Sequence, residues 1–122
     1  MSTLLLVDDD GTLLEVLFEL FSQEHECDTA ATAEEAFDRL RSREFELVVT
    51  DINMPGMSGE ALLGFIKTNS PGTPVIFISG SKDSEVARRL RVKGAAGFLP
   101  KPFDLGEISK TVADALEGRR RS

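Results

Sequence analysis

Short apolar runs alternate with helix-length amphipathic segments along this chain, and this alternation constrains the fold more than any other feature. Four apolar runs have the character of strands that are covered on both faces. They lie at residues 4–7, 47–49, 75–78 and 97–99. A fifth candidate at residues 26–30 is less apolar, so we predict that it lies at an edge of the sheet.

The segments between these runs carry helix signals. Leu13, Leu17 and Phe21 fall on one helical face. Capping-box patterns, which mark helix starts, occur at Thr12/Glu15, Thr32/Glu35 and Asp104/Glu107, and two further helices are expected after Gly59 and around Val86 and Leu90. Five strand–helix pairs predict one doubly wound α/β domain, with a five-stranded parallel sheet and helices on both faces.

Length and composition agree with this prediction. The chain has 122 residues, of which 41% are hydrophobic and 29% charged, as in ordinary globular domains. We predict a domain over residues 1–118 and a basic tail or linker start at 119–122. The net charge of −7 argues against nucleic-acid binding. The single cysteine and the lack of a membrane span or signal peptide predict a cytoplasmic location.

Polar and charged residues follow the predicted strands. Asp8, Asp9 and Asp10 follow the first strand, and Asp51 follows the third. Ser79 and Lys101 follow the fourth and fifth strands in the same way. Because the carboxyl ends of parallel strands meet at one edge of a sheet, these groups are expected to converge there.

This set of groups has a definite chemistry. Clustered carboxylates repel each other, and a hard cation such as Mg²⁺ relieves that repulsion. A lysine and a serine nearby would bind the oxygens of a phosphoryl group. The constellation therefore favours phosphoryl transfer to an oxygen nucleophile.

Two resemblances fit such a site. The stretch from Asp8 to Thr12 is similar to the Asp-x-Asp-Gly-Thr opening of haloacid dehalogenase-type phosphatases. That resemblance implies Asp8 as the nucleophile and Asp10 as the general acid. It stops after Lys101, because the remaining acids lie in a helical segment and not at the end of another strand.

The other resemblance covers nearly the whole chain. The stretches LLLVDDD, VVTDINMPGMSG, VIFISG and KGAAGFLPKPF resemble, in order and spacing, the receiver domain of bacterial two-component response regulators. It implies a flavodoxin-like (βα)₅ fold. It also implies that Asp51 accepts a phosphoryl group from a histidine kinase or histidine phosphotransfer protein. Mg²⁺ would be held by Asp8, Asp9, Asp51 and the backbone carbonyl of Asn53.

The same resemblance implies a switch. Ser79 would bind a phosphoryl oxygen, and Phe98 would then turn inward. Lys101 would bind the phosphoryl group and often precedes a cis peptide bond, here to Pro102. The surface of the fourth helix, fifth strand and fifth helix would change, and the chain would modify itself and not turn over a separate substrate.

Partners and one more alternative stay open. The switching surface would serve an output domain or a homodimer contact, without membrane association. The basic run on the fourth helix fits either a solvated face or a partner surface; its members are Arg88, Arg89, Arg91 and Lys93. A pseudo-receiver, an interaction module that never takes phosphate, is the remaining alternative to the phosphatase and the phosphorylated switch.

Overall fold

The computed structural model describes residues 2–80 and 84–121. Its strands are β1 (Thr3–Val7), β2 (Glu26–Ala30), β3 (Leu47–Asp51), β4 (Asn53–Met54), β5 (Met57–Ser58), β6 (Val75–Ser79) and β7 (Gly97–Pro100). The main sheet is parallel, with the order β2-β1-β3-β6-β7, while β4 and β5 form a small antiparallel pair. The five predicted strands are confirmed, including the position of β2 at an edge.

Within the described residues, five helices cover the two faces of this sheet. They are α1 (Gly11–Phe21), α2 (Ala33–Ser42), α3 (Gly59–Asn69), α4 (Ser84–Val92) and α5 (Leu105–Arg121). Helices α1 and α5 pack on one face, and α2, α3 and α4 pack on the other. The prediction of a doubly wound α/β domain is therefore confirmed. Among the described residues, no helix combines the length and the apolar character that spanning a bilayer requires.

Strand β1 shows why its sequence has no polar interruption. Leu4 and Leu6 point into the core beneath α1 and α5, whereas Leu5 and Val7 point into the core beneath α2, α3 and α4. All four side chains are almost fully buried. A strand at the centre of a two-sided sheet needs apolar residues at every position, because both of its faces are covered.

The helix starts confirm the capping box of α5 and the N-cap Thr32 of α2, where Glu35 accepts a bond from the Ala31 amide, and they correct the prediction for α1. Thr32 caps α2 through a bond from the Glu35 amide, and Asp104 and Glu107 bind each other's backbone N–H groups before α5. The prediction for α1 was wrong. Its N-cap is Asp10, whose side chain accepts bonds from the amides of Thr12 and Leu13, because an aspartate directly before the helix reaches these donors first.

The last helix bears on the predicted domain limits. Helix α5 continues through Arg121, so the boundary that we predict after residue 118 falls inside this helix. The side chain of Arg119 lies 3.6 Å from Glu46, which precedes β3. The division into residues 1–118 and 119–122 stays a prediction.

Candidate functional site

The groups that follow the parallel strands lie at one edge of the sheet. Asp8 comes directly after β1, and Asp51 is the last residue of the neighbouring strand β3. Strand β6 ends at Ser79 beside β3, and β7 ends just before Lys101. The parallel register therefore brings residues that are far apart in sequence to a common edge.

Three carboxylates form the centre of this edge. Asp8, Asp9 and Asp51 each offer an oxygen, and these oxygens lie within 4.8 Å of one another. Opposite ligands of an octahedral Mg²⁺ ion are roughly 4.2 Å apart, so small side-chain rotations would allow the three to share such an ion. The donors are hard oxygens, which suit Mg²⁺ better than softer transition metals. The residues therefore fit the predicted magnesium site.

Asp8 is the buried member of the cluster. Its side chain is fully buried, and its Oδ1 accepts a bond of 2.8 Å from the Asp10 amide. Burial raises the pKa of Asp8 above its usual value. The Asp10 N–H and the Lys101 ammonium favour the charged form and lower this pKa, whereas repulsion from Asp51 raises it further.

Lys101 places a positive charge between two of the acids. Its Nζ lies 3.5 Å from Asp8 Oδ2 and 3.6 Å from Asp51 Oδ2. The Lys101 amide donates a bond of 2.7 Å to the carbonyl of Ser79, which ties the backbone of Lys101 to the end of β6. The Lys101–Pro102 peptide bond is cis, as the resemblance implied. Both distances are longer than a typical hydrogen bond between charged groups.

The other predicted residues flank this centre. Ser79 is buried at the end of β6, one residue beyond Ile78, which pairs with Asp51. Phe98 is half-buried in β7, packs against the core beneath α2, α3 and α4, and is the register partner of Phe77. Asn53 lies two residues after Asp51, in the short pair of β4 and β5.

Comparison with known families decides between the two resemblances. The family model described as the response regulator receiver domain matches residues 4–113. The chain belongs to this family. The match covers nearly the whole described sheet, so the phosphatase resemblance, which rests on the first strand end, is not favoured.

Relatives of this receiver domain are regulators and a kinase. It is 39% identical over 110 residues to the response regulator protein FleR of Pseudomonas aeruginosa, which covers 89% of this chain and 23% of that protein. It is 37% identical over 112 residues to the DNA-binding transcriptional regulator NtrC of Klebsiella pneumoniae, and the match covers 91% of this chain and 24% of that protein. The sensor kinase CckA of Brucella abortus is 34% identical over 118 residues, and the match covers 95% of this chain and 12% of that protein. The chain thus spans about a quarter or less of these relatives.

Solved structures agree with the fold. A response regulator receiver domain protein from Clostridium thermocellum has a TM-score of 0.92 at 27% identity, and the match covers 98% of each chain. The chemotaxis response regulator CheY4 of Vibrio cholerae has a TM-score of 0.87 at 25% identity, covering 94% of this chain and 98% of that one. The receiver fold is therefore shown by backbone geometry as well as by sequence.

The receiver domain also uses a residue that the sequence patterns misassigned. Asp10 caps α1 with its side chain and supports Asp8 with its backbone amide. The general-acid role that the phosphatase resemblance implied does not fit this position, because its Oδ1 accepts bonds from two helix amides. An aspartate directly before an amphipathic segment is itself an N-cap signal, which could have identified the capping role.

Proposed function

We propose that this receiver domain takes a phosphoryl group on Asp51 from a histidine kinase or a histidine phosphotransfer protein. The position of Asp51 carries the proposal. Its side chain is 14% exposed, it shares the 4.8 Å carboxylate cluster with Asp8 and Asp9, and it faces the Lys101 ammonium at 3.6 Å. Phosphoryl transfer needs an accessible oxygen nucleophile and positive charge beside the phosphoryl oxygens, and Asp51 has both.

Exposure separates Asp51 from Asp8 as the acceptor. The side chain of Asp8 is 0% exposed, and one of its oxygens is already bound by the Asp10 amide. A donor protein approaching this edge of the sheet would meet Asp51 before Asp8. We therefore assign the nucleophile to Asp51 and a supporting role to Asp8.

The donor set also supports a magnesium site as part of the proposal. The carboxylates of Asp8, Asp9 and Asp51 and the backbone carbonyl of Asn53 would hold the ion. When bound, Mg²⁺ supplies positive charge that offsets the clustered carboxylates and the phosphoryl oxygens. The buried carboxylate of Asp8, held by the Asp10 amide, would give the site a fixed ligand.

The chemical step is a simple exchange of bonds. An ionised oxygen of Asp51 forms a bond to phosphorus while the phosphorus–nitrogen bond of the donor phosphohistidine breaks, and the electron pair stays on the imidazole nitrogen. Lys101 would face the transferred oxygens, and the Ser79 hydroxyl would donate a hydrogen bond to one of them. Hydrolysis of the acyl phosphate would return Asp51 to its carboxylate.

The transferred charge would then act on the rest of the domain. The acyl phosphate carries about two negative charges where the Asp51 carboxylate carried one, and its strong acceptor oxygens reorder nearby groups. Ser79 and Phe98 would transmit the change to the surface of α4, β7 and α5, where an output domain or a second copy would bind. The domain would act as a switch and not as an enzyme on a separate substrate.

The setting of the switch belongs to the same proposal. We keep a cytoplasmic location, because DNA-binding transcriptional regulators such as the NtrC relatives must reach DNA. We expect this domain itself to have no affinity for nucleic acid, since its net charge of −7 repels phosphate backbones.

Intact-mass measurement tests the acceptor. The protein is incubated with Mg²⁺ and acetyl phosphate as wild type, Asp51→Asn and Asp8→Asn, and with Asp114→Asn as the control for loss of a surface aspartate on α5. We expect one hydroxylamine-sensitive phosphoryl adduct on the wild type and on Asp114→Asn, none on Asp51→Asn, and slower formation on Asp8→Asn. Chelation of Mg²⁺ should prevent the adduct.

The other outcomes point elsewhere. An adduct that persists in Asp51→Asn and disappears in Asp8→Asn would place the nucleophile at Asp8 and contradict the proposal. A wild-type protein that is folded, takes no phosphoryl group from acetyl phosphate or a histidine kinase, and shows no Mg²⁺-dependent NMR shifts would favour the pseudo-receiver.

A further inference from the structure

A cluster of three charged residues joins α3 to α4. Glu60 lies in the first turn of α3, and its Oε1 accepts bonds from Arg89 Nη2 at 2.8 Å and Nε at 3.2 Å. Its Oε2 accepts a bond of 2.7 Å from Lys93 Nζ. We call Glu60, Arg89 and Lys93 the Glu60 cluster. One carboxylate thus holds two cations, Arg89 in α4 and Lys93 directly after the end of α4, although the sequence predicted both on the helix.

Few of the described side chains of α4 are buried. Of its described side chains, only Leu90 is fully buried, with Val86 partly buried beside it. By contrast, α3 buries Leu62, Leu63 and Ile66. Apolar burial is the main force that docks a helix on a sheet, so α4 is the more weakly docked of the two.

There is also space beneath the Glu60 cluster. A cavity of about 220 Å³ lies between the start of α3 and α4. Ile52, Gly59, Val86 and Leu90 line it, and Glu60 and Arg89 lie at its edge. Close packing normally resists displacement of a helix, and it is incomplete here. A shift of α4 relative to α3 would therefore disturb fewer packed atoms here than in a close-packed interface.

The fixed side of the cluster is tied to the proposed phosphorylation site. Gly59 precedes Glu60, and its amide donates a bond of 2.7 Å to the carbonyl of Ile52, the residue after Asp51. A Cβ at Gly59 would lie 2.8 Å from that carbonyl oxygen, which shows how closely the start of α3 packs on this backbone. Glu60 is therefore a rigid extension of the segment that follows Asp51.

We propose that Glu60 is a latch that holds α4 against α3 in the unphosphorylated domain, and that its release from Arg89 and Lys93 accompanies the switch. That phosphorylation is the signal rests on the proposed function. That Glu60 holds α4 against α3 rests on the contacts described above. Glu60 is a positioning residue in this scheme, because it acts on α4 and does not touch the phosphoryl group.

The expected size of the effect follows from exposure. Glu60 is 33% exposed and its partners 46% and 54%, so solvent screens the ion pairs. Lys93 and Arg89 lower the pKa of Glu60, which keeps the carboxylate ionised across the neutral range. Loss of such pairs changes a two-state population by roughly two- to fivefold. We therefore expect a local change in α4 with little change in global stability.

The test is a double-mutant cycle on the unphosphorylated protein. Glu60→Gln, Arg89→Gln and the double variant are compared by hydrogen–deuterium exchange of the α4 amides and by the rate of acyl phosphate formation from acetyl phosphate with Mg²⁺. Arg88→Gln is the matched control, because it removes the same charge from the same helix, and the ion pair of Arg88 with Glu85 lies within α4.

We expect Glu60→Gln and Arg89→Gln each to raise α4 exchange by roughly two- to fivefold and to speed acyl phosphate formation by a similar factor. The double variant should add little to Glu60→Gln, and Arg88→Gln should match the wild type. Unchanged α4 exchange in Glu60→Gln, or an equal increase in Arg88→Gln, would overturn the latch.

Failure of the proposed function has a different signature. If the wild type takes no phosphoryl group at all, the phosphorylation proposal fails, while the exchange measurements still decide whether Glu60 holds α4. If phosphorylation occurs at Asp51 but the cycle shows no coupling between Glu60 and Arg89, the latch alone is wrong.

Discussion

Replacement of Gly59 by alanine tests how tightly the segment after Asp51 is packed. A Cβ at this position would lie 2.8 Å from the Ile52 carbonyl oxygen, 2.9 Å from Phe77 Cε1 and 3.3 Å from Ile52 Cα. Neither neighbour moves easily. The Ile52 oxygen accepts the 2.7 Å bond from the Gly59 amide, and Phe77 is 0% exposed.

The magnitude follows from two opposing effects. Overpacking a close contact of this kind costs about 1–3 kcal/mol. Alanine in place of glycine returns up to about 1 kcal/mol of helix propensity, and less in the first turn. We therefore expect Gly59→Ala to lower the free energy of unfolding by about 1–2 kcal/mol.

Gly64 is a matched control in the same helix. It is exposed, and a Cβ there would meet no atom within 4 Å. Gly64→Ala should therefore raise the free energy of unfolding by about 0.5–1 kcal/mol. The sign of the change should differ between two glycines that are five positions apart in α3.

Urea unfolding followed by far-UV circular dichroism measures both variants, which suits a chain with no tryptophan or tyrosine. Because Ile52 follows Asp51 directly, Gly59→Ala should also slow acyl phosphate formation, whereas Gly64→Ala should not. If Gly59→Ala stabilises the protein as much as Gly64→Ala, the close contact with Ile52 and Phe77 does not exist as described.

Three further predictions concern other parts of the domain. Asp10→Ala removes the α1 cap beside Asp8, so it should lower the free energy of unfolding by about 0.5–2 kcal/mol in urea titrations. It should also weaken Mg²⁺ binding measured by calorimetry. Asp10→Asn should retain most of the stability, because asparagine also caps helices. Burial and the neighbouring acids raise the pKa of Cys27 to about 11. At pH 8, alkylation of Cys27 by iodoacetamide should therefore be roughly a hundredfold slower in the native protein than in urea. Equal alkylation rates would contradict this prediction. Thr73→Val should cost about 1 kcal/mol in the same urea assay, since the buried Thr73 hydroxyl donates a 2.9 Å bond to the Phe45 carbonyl.

The sequence predicted the sheet well because each central strand is a short continuous run of apolar residues. A short continuous apolar run, such as the one around Leu5, is typical of a strand that is buried on both faces. The weaker apolar character of β2 identified it as an edge strand. Convergence of the acids and Lys101 then followed from parallel topology alone. The positions of the strand ends therefore predicted the site better than any single sequence motif did.

Three features lay beyond this reasoning, each for a physical reason. The pair of β4 and β5 is two residues long on each side, too short to show a strand period. The cap of α1 was assigned to Thr12 because the capping-box pattern and the true N-cap Asp10 are only two residues apart. The Glu60 cluster joins residues separated by 29 and 33 positions, and no local pattern marks such a pair.

The segment from Ile52 to Glu60 explains why these missed features matter most. It leaves the proposed acceptor, folds back through the short pair of β4 and β5, and returns at Gly59 to bond the backbone of Ile52. This closed loop has little freedom to absorb a change at Asp51 by itself. In our proposal, a displacement there would be passed to the start of α3, where Glu60 meets α4, a helix in which Leu90 is the one fully buried residue among the described side chains. The same closure that makes Gly59 intolerant of a methyl group would thus, in our proposal, give Asp51 a route to α4 through Glu60 beside the one through Ser79 and Phe98.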